Sequence, residues 1–447
     1  MSALGAPRAR LVEWLVGAAY PLWSHQGIDP RNGGFAEALD GSGRAVALPR
    51  RARVHPRQMY AFAQAEGFGW QGDARRIVSR GMDFFETHYR RADGLFRTLA
   101  DADGDALDER ALLYDQAFAL LGYAAAATAL DARSAFEKRA LALRHAVEAH
   151  FLAQDGAYDS GEESTGRREA NPHMHLLEAY LAWAEIGHDA GWATGVQAIA
   201  ELALSRFIDR DSGSIGESYL ATWQRAPHIA GRIIEPGHQF EWAWLLLRCE
   251  RWHSAPALRG AALRLIAIGD RFGIRNGVAI DALYDDFSIK DARARLWPQT
   301  ERLKAALLAA AVTGDPHYEA MAEAAVTSFF PYLNSAVPGL WRDVRLPDGE
   351  FIGSPVPAST FYHVVGAIAA LLTPHRPGGR IANDQFVSEQ MPRDAIGPAV
   401  APRLQLNDQV GGDSRHGRHG LSHGGELRPY HAGNRRIVEA RHRQLSR

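Results

Sequence analysis

The sequence predicts an all-α protein, an (α/α)6 barrel of six helical hairpins with short β-hairpins in its loops. Three observations lead there. A glycine followed by apolar or aromatic residues recurs at Gly34-Phe35, Gly94-Leu95-Phe96, Gly156-Ala157-Tyr158, Gly213-Ser214-Ile215, Gly277-Val278-Ala279 and Gly339-Leu340-Trp341. Successive glycines are 60, 62, 57, 64 and 62 residues apart, a period with room for a loop and two helices. Within each period one helical pattern is apolar nearly all round and the other carries a charged face, as inner and outer helices of a closed toroid would.

In chain order the candidate helices span 8–24, 56–67, 73–89, 112–129, 132–152, 172–188, 190–206, 239–250, 255–272, 298–313, 316–333 and 359–373. The helix after each glycine is the more apolar, as in QAFALLGYAAAATAL and EWAWLLLR; its partner is charged, as in DARRIVSRGMDFFETHYR. Most repeat glycines follow a turn former: Asp93, Asp155, Ser212, Asn276 or Pro338. GLFRTLADADGDAL and GLWRDVRLPDGEFI alternate around an Asp-Gly pair and read as small hairpins. An open helical solenoid is the rival, and six unequal repeats with long loops favour closure. The barrel is assigned to 1–375. The Gly-, Arg- and His-rich segment 376–447 lacks apolar periodicity and is expected to be mostly disordered, solvated rather than metal-binding.

Composition excludes several classes. The 447 residues are 46% hydrophobic with a formal net charge of −2, so no global field attracts nucleic acid or an anionic membrane. No apolar run is long enough to span a bilayer, and the first dozen residues lack a signal-type apolar core. The single cysteine, Cys249, excludes an intramolecular disulfide framework and points to a reducing compartment, so the cytoplasm is expected. A homodimer is compatible with the sequence and not required by it.

Each apolar helix carries polar residues near its start. Arg57 follows Gly34 by 23 residues, Asp115 follows Gly94 by 21, and His175 follows Gly156 by 19. His238, Gln299 and His363 follow their glycines by 25, 22 and 24. In a toroid these positions converge on one mouth, here edged by Trp242, Trp244, Trp297 and Tyr362, and such convergence marks a binding or active site. His238 and Glu241 share a helix face at i,i+3, so the carboxylate can orient the imidazole; a helix-entry histidine with a dipole-favoured glutamate is the plainer alternative. His175 and Glu178 repeat that spacing. His173 and His175 point to nearly opposite faces, a poor two-ligand metal motif, so one of them is structural. His363 in FYHVVGAI reads, taken alone, as a core histidine. Arg57 on an apolar helix needs an acidic partner or a ligand oxygen. Arg50, Arg51 and Arg53 read as a solvated loop, with a phosphate contact as alternative, and Glu301 as a helix-start cap or a ligand contact.

HPRQMYAF, LYDQAF, HLLEAY, PGHQFEWAW, WPQTE and YHVVGAI, in that order, resemble the N-acylglucosamine 2-epimerase superfamily, which includes mannose isomerases, an aldose–ketose isomerase and cellobiose 2-epimerase. The resemblance covers about residues 10–373 and implies the (α/α)6 barrel. It implies catalytic roles for Arg57, for His238 and His363 as paired acid/base histidines, and for Glu241 as the carboxylate supporting the first. His175 is implied to contact substrate or assist ring opening, and the candidate binding set is His175, Glu178, Asp115, Tyr114, Trp297, Gln299, Glu301 and Tyr362. No cofactor or metal is expected; the partner is a small sugar.

The chemistry suits these side chains. Isomerising an aldose, or inverting C2, removes a proton α to the open-chain carbonyl, which needs a base titrating near neutrality and a cation at the developing enediolate oxygen. The expected activity is aldose–ketose isomerisation of the mannose–fructose type on a free or 6-phosphorylated sugar, with 2-epimerisation as alternative. A glycoside hydrolase on the same toroid would need paired cleft carboxylates from among Asp115, Glu178, Glu241 and Glu301; a catalytically silent sugar-binding protein is the third reading.

Overall fold

A computed structural model describes residues 4–163, 166–250, 252, 256–353 and 355–373. The segment 376–447, expected as a tail, lies outside them. Helices α1 (Gly5–Trp14) and α2 (Tyr20–Gln26) are joined by a π turn at Leu15–Ala19. The sequence reading has one helix there, but Pro21 has no amide for the carbonyl ladder, and the backbone widens just before it. Then follow α3 (Val54–Ala63), α4 (Ala74–Tyr89), α5 (Leu113–Ala129), α6 (Arg133–Phe151), α7 (Ala170–Ile186), α8 (Gly191–Leu202), α9 (Pro236–Cys249), α10 (Pro256–Gly273), α11 (Leu296–Thr313), α12 (Pro316–Leu333) and α13 (Ser359–Leu372).

Helices α3, α5, α7, α9, α11 and α13 pack each on the next, and α13 returns to α3, closing the inner ring. Around it α4 lies on α3, α6 on α5, α8 on α7, α10 on α9, α12 on α11, and α1 on α13. This is the (α/α)6 barrel, closed rather than solenoidal. Burial follows the two kinds of sequence pattern: all of α9 from Pro236 to Cys249 is buried, whereas α4 buries Ala74, Val78, Gly81, Met82, Phe85 and Tyr89 on one face at helical spacing, with Phe84 beside it. The seam between first and last hairpins is aromatic. Trp23 stacks on Trp341 at 5.0 Å and on Phe361 at 5.8 Å, and the Trp23 indole N–H reaches the Gly339 carbonyl at 3.3 Å. Across the same seam, Ala38–Leu39 pairs with Val356–Pro357.

The repeat glycines turn the chain into each loop. Gly94, for example, has φ +88, with the Asp93 carboxylate accepting from the Leu95 amide. In the first repeat the left-handed residue is Gly33 rather than the assigned Gly34, because the turn former is Asn32, whose side chain accepts from the Gly34 amide. The two Asp-Gly hairpins form as expected, Leu99–Ala100 with Ala106–Asp108 and Val344–Arg345 bridging to Phe351.

A second device repeats with the same period. One side chain on each of five inner helices ties back to the loop that precedes it. Gln116 accepts from the Phe96 amide and donates to its carbonyl, both at 2.8 Å. Gln239 does the same to Ile215 and Gln299 to Ala279. His55 Nε2 accepts from Phe35, and His173 Nε2 accepts from Tyr158 while Nδ1 bonds the Glu169 carbonyl. The clamp fixes how each of these five helices is rotated, and therefore which residues reach the barrel axis.

Candidate active site

Two residues past a clamp is about 200° around a helix, so the side chain points to the opposite face. Arg57, Phe118, His175, Glu241 and Glu301 occupy that station, and they converge. The Arg57 guanidinium lies 4.1 Å from the Phe118 ring centroid and 5.6 Å from those of Tyr114 and Tyr362, and it donates to the Tyr114 hydroxyl at 2.6 Å. It has no carboxylate partner among the described residues, which leaves its charge for a ligand oxygen.

Trp297, on the first turn of α11, lies between the two histidines of interest: its ring is 5.1 Å from that of His238 and 5.5 Å from that of His363. The His363 ring centroid lies 4.7 Å from that of Tyr362, and Arg57 lies over Tyr362, so Trp297 and Tyr362 link the guanidinium and both imidazoles in one cluster. The two histidines have different partners. His238 Nδ1 bonds Glu217 Oε2 at 2.9 Å, with Glu235 at 4.0 Å. Burial alone would lower its pKa, but Glu217, Glu235 and Glu241 outweigh burial and raise it to about 10. His363 Nδ1 bonds Glu301 Oε1 at 2.8 Å. Burial, reinforced by Arg57 and Lys304, holds its pKa well below the ordinary value. The two imidazoles are thus shifted in opposite directions.

Beneath them is a buried layer of carboxylates, Glu178, Glu241 and Glu301. His175 Nδ1 bonds Glu178 Oε2 at 3.1 Å, its ring packs on Phe118 and Tyr114, and burial lowers its pKa to about 4. Glu178 also accepts from the Tyr362 hydroxyl. Glu241 lies 3.9 Å from His175, and neither of its oxygens has a hydrogen-bond partner among the described residues. Burial, with Glu301 and Glu178 nearby, drives its pKa well above the carboxylate range. Lys304 Nζ lies 2.6 Å from Glu301 Oε2.

Several expectations are corrected by this geometry. Glu241 does not hydrogen-bond His238: Nδ1 bonds Glu217 on the preceding loop, and Glu241, 3.9 Å from His175, acts on His238 only through its charge. Gln299 is a backbone clamp and not a substrate contact. Asp115 is fully buried behind the mouth, accepting from Arg53 at 2.9 Å and Thr98 at 2.6 Å. The arginine run is no solvated loop, since Arg50, Arg51 and Arg53 pair with Asp29, Glu37 and Asp115. Glu301 is not a cap; it holds His363. Trp242 packs outward on Phe207, and Trp244 lies deeper, between Arg248 and Lys304. Of the HxH pair, His173 is the structural one.

Two groups escaped the sequence reading. Glu217 has a detectable signal, for it stands four residues after its glycine, as do Asp281 and Asp343. Lys304 has only its i,i+3 spacing from Glu301. Among the described residues, three sets of ligand-type atoms are close enough to hold a metal ion: His175–Glu178–Glu241, Glu217–Glu235–His238 and Glu241–Glu301–His363. No described helix is long and apolar enough to cross a membrane.

A guanidinium and two imidazoles, each imidazole held through Nδ1 by its own carboxylate, stand together inside a six-hairpin toroid. The N-acylglucosamine 2-epimerase (GlcNAc 2-epimerase) family matches residues 33–367. The chain is 44% identical over 370 residues to a mannose-6-phosphate isomerase of Rhizobium meliloti (strain 1021), covering 81% of this chain and 95% of that one. It is 28% identical to a D-mannose isomerase of Thermobifida fusca, over 84% and 94% of the two chains. A crystal structure of D-mannose isomerase superposes with TM-score 0.75 at 21% identity, covering 81% and 97%. Cellobiose 2-epimerase from Bacillus thermoamylovorans B4167 gives 0.72 at 16%, covering 80% and 98%; both structures share the fold. The chain belongs to the N-acylglucosamine 2-epimerase family and is an enzyme of the isomerase and epimerase class.

Proposed function

We propose that the protein interconverts an aldose and a ketose of the mannose–fructose type, with His363 and His238 as the acid/base pair and Arg57 at the enediolate oxygen. The observation that carries this reading is the pair of imidazoles flanking Trp297, each held through Nδ1 by its own carboxylate and leaving Nε2 for the substrate. With Nδ1 bound to Glu301, His363 offers Nε2 to the C2 proton of the open-chain sugar. As that proton leaves, the C–H electron pair forms the C1=C2 bond and the carbonyl pair moves onto O1, giving a cis-enediolate. Protonated His238 donates to O1, and Arg57 offsets the charge there. His363 then delivers its proton to C1 while O2 loses its proton to His238, so that protons and electrons balance. His175 and Tyr114 bound the sugar on the Arg57 side.

The isomerase reading is supported by the names of the Rhizobium meliloti and Thermobifida fusca relatives. A 2-epimerase is the second reading, favoured by the placement of imidazoles on both sides of Trp297, where one takes the C2 proton and the other returns one to the opposite face. Nuclear magnetic resonance of mannose, glucose, N-acetylmannosamine, cellobiose and mannose 6-phosphate with the enzyme in deuterated water tests both. Fructose with deuterium at C1, and recovered mannose with deuterium at C2, are expected. Glucose as first product would establish epimerisation, and no exchange with any sugar would refute the proposal. His238→Ala and His363→Ala are each expected to lower turnover by about 100-fold or more with the fold intact.

A further inference from the structure

Lys304 is an ammonium inside the barrel, one turn along α11 from Glu301. Its side chain is 3% exposed, and its Nζ lies 2.6 Å from Glu301 Oε2 and 3.9 Å from the centre of the Trp244 ring. The other oxygen of the same carboxylate lies 2.8 Å from His363 Nδ1. Ammonium, carboxylate and imidazole thus form one line that ends at the proposed base.

A buried lysine is costly unless its charge is matched, and the layer offers three carboxylates for the purpose: Glu178, Glu241 and Glu301. Lys304 contacts the one that carries His363. That choice has a chemical consequence, because the state of Glu301 sets the tautomer of the ring. An ionised Glu301 accepts from Nδ1–H and leaves the Nε2 lone pair free to take a proton. A protonated Glu301 donates to Nδ1, places the hydrogen on Nε2, and abolishes the base. Burial and the nearby Glu178 favour the protonated form of Glu301, and Lys304 opposes them.

We propose that Lys304 is a positioning residue, holding Glu301 ionised so that His363 keeps Nε2 as the free base facing the sugar. The proposal rests on the isomerase reading of this site. The other groups around the Glu301–His363 pair are Arg57 and Tyr60 from α3, His175 and Glu178 from α7, His238 and Glu241 from α9, and Tyr362 from α13. Arg302, on α11 itself, turns outward to Asp270 on α10 at 2.7 Å.

The test compares the full chain with Lys304→Met and Lys304→Arg, following C2 hydrogen exchange of mannose and kcat/KM from pH 5 to 9, alongside circular dichroism and melting. Lys304→Met is expected to lose about tenfold or more in kcat/KM at pH 7 and to recover as pH rises, its acid limb displaced upward by about one to two pH units. Lys304→Arg is expected to keep the wild-type limb. A folded Lys304→Met with an unmoved acid limb overturns the proposal, whether its rate is normal or uniformly reduced. Histidine 15N spectra of the wild type give an arm independent of variant folding: His363 is expected to carry its hydrogen on Nδ1 from pH 6 to 8, and a hydrogen on Nε2 overturns the proposal. Absence of exchange with every sugar in the wild type would instead refute the isomerase reading.

Discussion

Replacing Glu217 by glutamine should move the alkaline edge of activity and leave the acid side nearly unchanged. His238 is raised from an ordinary 6.5 to about 10, a displacement of roughly 3.5 pH units, or about 5 kcal/mol in favour of the imidazolium. Three carboxylates produce it against the opposing effect of burial. Glu217 is the one in hydrogen-bond contact, at 2.9 Å, whereas Glu235 is 4.0 Å away. Assigning it over half of the effect gives a fall of about two pH units in Glu217→Gln. The assay is kcat/KM for mannose from pH 6 to 10.5 with ketose detection. The wild type should hold activity until pH approaches 10, whereas the variant should decline about two units earlier while matching it near pH 6. Stability follows the same sign. A raised histidine pKa stabilises the fold fully below 6.5, and that contribution is lost as pH rises through about 10, so the variant's deficit in melting temperature should be largest at pH 6 and vanish at the alkaline end. An unmoved alkaline limb would refute the assignment of Glu217 as the partner of His238.

The clamp and the seam make two further predictions. His173 is held neutral by burial, its pKa lowered to about 4, so its contribution is present above 6.5 and lost as pH falls toward 4; His173→Gln, which imitates Gln116, Gln239 and Gln299, should fold normally and retain about 2 kcal/mol of stability at pH 5 that the wild type loses, as read by urea unfolding at pH 7.5 and pH 5. His173→Ala should be destabilised at both pH values, and equal behaviour of the two variants would show that the clamp does not matter. Trp23→Ala, which empties the stack on Trp341 and Phe361, should cost about 3–5 kcal/mol in urea unfolding; a loss under 1 kcal/mol would mean that the aromatic seam does not hold the ring closed.

The architecture was legible because burial repeats. Apolar helices such as α5 and α9 alternate with one-faced helices such as α4, and the glycine period counts them. The site was legible only as a region. Phase along the chain shows that Arg57, Asp115, His175, His238, Gln299 and His363 lie near one end of their helices, but it does not give rotation, and rotation decides function. Gln299 and Glu301 differ by two residues, and one clamps a loop while the other holds His363. The partners of the histidines were harder still. Glu217 reaches His238 from a loop 21 positions earlier, and Glu301 reaches His363 from the neighbouring helix, so neither pairing has a local spacing to reveal it. The i,i+3 pair His238–Glu241 did have one, and it misled, because sharing a helix face is weaker than the pull of a nearer carboxylate on the preceding loop.

The same rotation argues against hydrolysis. Asp115, Glu178, Glu241 and Glu301, the carboxylates a glycosidase would need, are each at most 1% exposed, against 6–7% for Arg57, His238 and His363. Protein groups occupy most of these carboxylates: Arg53 and Thr98 bind Asp115, His175 and Tyr362 bind Glu178, and Lys304 and His363 bind Glu301. Glu241, the one without such a bond among the described residues, is buried, and burial with its carboxylate neighbours raises its pKa. A glycosidase must place one carboxyl at the glycosidic oxygen and a second at C1 or at a water, and a layer roofed by imidazoles can place neither. What reaches the cleft is a guanidinium, an imidazolium and a neutral imidazole, a set suited to moving a proton between adjacent carbons and poorly suited to stabilising an oxocarbenium ion. In the proposed mechanism the buried carboxylates act through the histidines, setting which one is acid and which is base.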